Sequence, residues 1–98
     1  MKHKMLSVFD AKASAYISPF FLPQEAMAVR TFTDCVNDPN HAFGKNPADY
    51  TLFCLGEFDD FSGNLQINET PYNLGNGVIH LRAKPVSPQL DLVEEIEK

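Results

Sequence analysis

Along the chain, a run of β-formers gives way to a helical period of apolar positions, then to a second dense run of β-formers and a short alternating stretch. Met5 to Phe9 is a run of β-formers behind a short charged tip and predicts a first strand. Asp10-Ala11-Lys12-Ala13-Ser14 is small and polar, which predicts a turn or loop. Tyr16 to Leu22 is aromatic and apolar around Ser18-Pro19; proline cannot donate to a ladder, so this stretch is expected as an edge strand or an extended segment. Pro23-Gln24-Glu25 then opens a helix, proline being tolerated in the first turn and an early carboxylate suiting the positive end of the dipole. Ala28, Phe32, Cys35 and Val36 form one apolar stripe with Val29 beside it, while Arg30, Thr31 and Asp34 fall on other faces. Asn37-Asp38-Pro39-Asn40 stops the helix.

His41 to Asp49, punctuated by Gly44 and Pro47, is expected as a loop. Tyr50 to Phe58 is dense in β-formers and apolar on both faces, which predicts a central strand covered on at least one side by the helix. Asp59-Asp60-Phe61-Ser62-Gly63 has turn chemistry, and Asn64 to Asn68, alternating around Leu65 and Ile67, is the expected hairpin partner. Beyond Pro71 the pattern weakens: Tyr72 to Gly77 is rich in Asn and Gly, and Val78 to Leu81 reads as either a short strand or a helical turn. Leu90 to Ile96 reads as a short helix or a frayed tail. The expected fold is α+β: a β-β-α-β-β order, a small, mainly antiparallel sheet of about four strands with one helix on one face. Residues 1–84 form the expected single domain and 85–98 a flexible acidic tail.

Composition narrows this picture. At 98 residues the chain has room for one modest core, filled by eight Phe and three Tyr. Phe9, Phe32 and Phe53 are assigned to that core. Dimerisation would bury further apolar area, so a homo-oligomer is one expected partner state. Net charge is −5, which argues against a duplex-DNA reader, whose affinity rests on neutralised phosphates. The charge is uneven, however. Residues 1–30 set Lys2, Lys4, Lys12 and Arg30 against only Asp10 and Glu25, whereas residues 31–70 set Lys45 alone against Asp34, Asp38, Asp49, Glu57, Asp59, Asp60 and Glu69. Cys35 and Cys54 match no metal or redox spacing and read as buried free thiols. The charged start Met1-Lys2-His3-Lys4 is followed by apolar residues broken at Asp10 and Lys12. That is no signal peptide, no apolar run is of membrane-span length, and the expected location is the cytosol.

Catalytic chemistry finds little purchase. The sequence holds no nucleophile elbow, no Cys–His pairing by spacing and no phosphate loop, and His41 lacks a named partner. Glu57, Asp59 and Asp60 are the one cluster that resembles a metal or nuclease site. They fall at a strand end and turn, where Asp ordinarily accepts from local amides, and the turn role is the stronger reading. No cofactor is implied. Single-stranded nucleic acid fits better, because rings can stack bases beside a few cations. On that reading Lys4, Lys12 and Arg30 are the candidate phosphate contacts, and Tyr16 and Phe20 the candidate stacking rings.

The runs Phe32-Thr33-Asp34-Cys35-Val36-Asn37-Asp38-Pro39 and Asn46-Pro47-Ala48-Asp49-Tyr50-Thr51-Leu52-Phe53-Cys54-Leu55-Gly56-Glu57-Phe58-Asp59-Asp60 carry a resemblance. With Phe9-Asp10-Ala11-Lys12-Ala13, Pro19-Phe20-Phe21 and Leu74-Gly75-Asn76, the chain resembles the small nonstructural protein of gokushovirus-type microviruses, tailless phages with single-stranded DNA genomes. The likeness runs from about residue 5 to about residue 80. It implies a protein outside the capsid set that acts in viral DNA replication or packaging, in the cytoplasm of the infected bacterial host, by binding single-stranded DNA. No catalytic residues come with the family. The alternative is a non-catalytic interaction module that recruits a host or phage replication factor, favoured by the acidic middle and the amphipathic Leu90 to Ile96.

Overall fold

The structure, a computed structural model, describes residues 1–82. The chain runs β1 (Lys2–Asp10), β2 (Ala15–Tyr16), β3 (Phe20–Leu22), α1 (Glu25–Val36), α2 (Ala42–Lys45), a 3-10 turn (Pro47–Asp49), β4 (Tyr50–Asp59) and β5 (Leu65–Asn76). All strand pairings are antiparallel, in the order β2-β1-β4-β5, with β3 also on β1. β2 and β3 occupy one edge of β1 in turn, Tyr16 opposite Phe9 and then Phe21 opposite Met5. The interruption contains Pro19, where a ladder N–H would be missing. This is the expected α+β fold, with one main helix on one face of a five-stranded sheet.

The helix packs where the pattern placed it. Ala28, Phe32 and Val36 lie on one stripe and are buried against Leu6, Val8, Leu52 and Cys54. In a strand successive side chains point to opposite faces, so Leu6 and Val8, paired with Cys54 and Leu52, define the covered side. Cys35 is only half-buried at the rim of the stripe, and burial pushes both free thiols above their ordinary pKa. Asn37 closes the helix: its side-chain amide donates to the Thr33 and His80 carbonyls, and its Oδ1 accepts from the Arg82 backbone N–H.

Three expectations are corrected. The stretch His41 to Asp49 is not an open loop: α2 and the 3-10 turn fold within it, the His41 Nδ1 accepting from the Phe43 N–H at 3.0 Å to cap α2. β5 does not stop near Asn68 but continues to Asn76. Pro71 interrupts only the register, between the Ile67–Gly56 and Tyr72–Cys54 pairs, where the Asn68 side-chain amide donates to the Cys54 carbonyl in place of a ladder bond. Phe9 and Phe53 are not in the core. Each neighbours a buried residue, Val8 and Leu52, so alternation turns it to the opposite face.

Val78 to Leu81 takes the helical-turn alternative, with His80 N–H donating to the Gly77 carbonyl and Leu81 N–H to Val78. The His80 ring stands edge-on to Phe32, and Phe43 also packs on Phe32. The tail from Pro85, with Leu90 to Ile96, lies outside the described residues.

Candidate nucleic-acid interface

The second face of the sheet is the one without a helix, and it is unusually apolar for a solvated surface. An antiparallel sheet with one open face normally turns polar residues outward. Here the register lines up Tyr16, Phe9 and Phe53 at one end and Phe21, Phe58, His3 and Leu65 at the other. Between them Ser7, opposite Phe53, is fully buried, and its hydroxyl donates to the Ile17 carbonyl at 2.7 Å. That bond satisfies the polar atom and pins the crossing segment between β2 and β3.

At the first end the rings meet edge to face. Tyr16 lies 5.0 Å from Phe9 and 5.6 Å from Phe53, at interplanar angles of 63° and 67°, and remains 44% exposed. This geometry suits the ring quadrupoles and leaves a ring surface accessible. Lys12 stands in the adjoining turn, which is fastened by the Asp10 carboxylate accepting from the Lys12 and Ala13 N–H groups. Ser14 takes a left-handed backbone, φ 53°, to bring the chain back as β2.

At the other end Phe58 packs 5.9 Å from Phe21 and 6.3 Å from His3, beside Leu65, enclosing a shallow and nearly wholly apolar hollow. Carboxylates border this end. Asp60 accepts from the N-terminal ammonium at 2.7 Å and pairs with the His3 ring at 2.8 Å, and the ammonium bond holds its carboxyl below the ordinary value. Asp59 accepts from the Phe61 N–H and is lowered by that bond, the local turn role expected of it. Glu57 points to the covered side, where the Lys4 ammonium donates to it at 2.8 Å, lowering the carboxyl and raising the amine. Asp59 and Asp60 thus share the N-terminal ammonium, at 3.8 and 2.7 Å, while Glu57 faces Lys4, and the three do not converge on a common point.

The five candidate residues are not brought together. Tyr16 and Lys12 stay adjacent at one end of the open face. Phe20, opposite Leu6, packs half-buried against the core on the helix side, and its neighbour Phe21 takes the open position. Lys4 shares the helix side and is held by Glu57, and Arg30 is exposed on α1, which covers that same side. Phe58, His3 and Leu65 escaped the sequence reading, which favours Phe20 over Phe21. Alternation separates Phe20 from Phe21, but only the pairing with β1 says which of the two faces the helix.

No curated protein and no solved structure matches the chain. A family match does cover residues 3–79, a span that takes in both sheet faces, the helix and the hairpin. With most of its length matched, the chain belongs to the Phage ORF5 protein family.

Proposed function

We propose that this phage protein is an accessory factor of gokushovirus-type microviruses that binds single-stranded DNA during genome replication or packaging. The observation that carries the reading is the helix-free aromatic end of the sheet, with Tyr16 accessible over Phe9 and Phe53. Every base has a π-face, so such a platform takes successive bases with little sequence preference. Lys12 is the cation best placed to meet the backbone. Phe20, Lys4 and Arg30 leave the proposed surface, because the fold puts them on the helix side. In this reading the protein is not an enzyme, needs no cofactor and works in the cytoplasm of the infected host.

Few cations on an acidic protein give a modest affinity with a shallow salt slope, about 0.7 per phosphate contact for a single strand. Fluorescence anisotropy with a labelled oligothymidine at low and moderate salt tests this. The expected result is micromolar or tighter binding that weakens as salt rises. No binding at low salt overturns the reading.

A second reading, a module that recruits a host or phage replication factor, is favoured by the carboxylates that border the other end of the sheet. Recovery of one such factor from infected cells on the immobilised protein, with no oligonucleotide binding, would select it.

A further inference from the structure

The apolar end of the open face, around Phe21, Phe58 and Leu65, lies apart from the Tyr16 platform and calls for its own occupant. We propose that it is where a second copy of this chain packs, sheet against sheet, to form a symmetric dimer.

Three features point to a second copy. The first is exposure: Phe21 on β3 and Leu65 and Ile67 on β5 are 45, 57 and 61% exposed on one face of the sheet, with His3 on β1 and Phe58 on β4 half-buried between. The patch offers on the order of 400 Å² of apolar surface per copy, the size of the largest patch on a typical monomer, which is often functional. Two copies and a rim fall below a standard interface of about 1,600 Å², so the dimer is a weak one.

The second feature is charge. Asp60, bonded to His3, sits beside the patch and repels phosphate, which disfavours nucleic acid here. The rim nevertheless carries both signs, the N-terminal ammonium beside the Asp60 carboxylate that holds it. A two-fold contact must complement itself. A neutral apolar centre with a mixed-sign rim does so, whereas a patch of one sign on a chain of net charge −5 would not.

The third feature is the layer itself. The helix covers one face, and facing sheets pack about 10 Å apart with interdigitating side chains. A second sheet supplies the missing layer without any rearrangement of the chain.

Sedimentation equilibrium of the full chain from about 1 to about 200 µM tests the proposal, with Leu65→Glu and Phe21→Ser as variants and circular dichroism as the check on folding. The expected result is a monomer–dimer equilibrium for the wild type, with dimerisation weakened at least tenfold in both variants and oligonucleotide affinity per chain changed less than twofold. Should Leu65→Glu fail to fold, Ile67→Glu on the same face reads the same equilibrium. A wild type monomeric at about 200 µM overturns the proposal, as do variants that dimerise like the wild type. Variants that lose oligonucleotide binding from an already monomeric protein would assign the patch to DNA instead.

Discussion

Replacing Tyr16 with alanine separates the two roles an aromatic can have here, in folding and in stacking. The ring is 44% exposed and touches Phe9 and Phe53 edge-on. About half the burial of a full aromatic is at stake, roughly 1 kcal/mol, plus about 0.5–1.5 kcal/mol for the edge contacts. A domain of this size has about 5–15 kcal/mol in hand, so Tyr16→Ala stays folded. The loss in binding is of another kind: one stacked base is worth about 1–3 kcal/mol, or roughly 5- to 150-fold in affinity. Tyr16→Phe keeps the ring and should bind like the wild type. Phe20→Ala is the matched control, because Phe20 packs against the core: it should lower the urea midpoint and leave the affinity of the folded protein unchanged. Anisotropy titrations of the three variants at low salt, with folding checked by circular dichroism, read the difference. A folded Tyr16→Ala that binds within twofold of the wild type refutes the stacking platform.

Lys12→Glu should weaken oligonucleotide binding and lower the salt slope by about 0.7; an unchanged slope removes Lys12 from the phosphate path. Phe32→Ala, at the centre of the helix–sheet contact, should cost about 3–5 kcal/mol in urea unfolding, whereas Phe32→Leu should cost less than about 1.5 kcal/mol. Gly56→Ala would drive a Cβ into the Gln66 carbonyl oxygen, so β4 and β5 must part there. Hydrogen exchange should show lost protection at Leu65 to Ile67 with α1 intact, and full protection would contradict the close approach. The pH dependence has two limbs. The Asp60 carboxyl is lowered in the fold, so its contribution is present above its ordinary 3.8 and lost as pH falls through the folded value. The N-terminal amine is raised, so its contribution is present below its ordinary 8.0 and lost as pH rises through the folded value. Asp60→Asn removes the shared partner and should flatten the alkaline limb of a Tm profile while shrinking the acid limb that Glu57 and Asp59 still support. An alkaline limb identical to the wild type would show that this contact contributes nothing.

Local pattern determined the parts of this protein that depend only on neighbours in the chain. The stripe Ala28, Phe32, Val36 specified a helix and its buried side, and Asp59 to Gly63 specified the hairpin turn, because helical period and turn chemistry are short-range properties. Pro19 marked the edge for the same reason. The extent of β5 was not readable, since Pro71 looks like a terminator until β4 is seen to resume the ladder beyond it. The folding of His41 to Asp49 was hidden likewise: its turns are held by a histidine cap and by packing against Phe32 and Tyr50.

The candidate surface depended most on tertiary structure. A run that is apolar on both sides, such as Tyr50 to Leu55, fixes the alternation but not which set of residues meets the helix. That choice falls to pairing with β1, and it sent Leu52 and Cys54 to the core and Phe53 to the open face. The same pairing sent Phe20 inward and left Phe21 and Tyr16 exposed, and it tied Lys4 to Glu57, 53 positions away in the chain. The sequence determined that the protein is rich in rings and poor in cations. Only the register decided which rings are open to a partner, because a strand residue's face is set by its neighbour across the sheet.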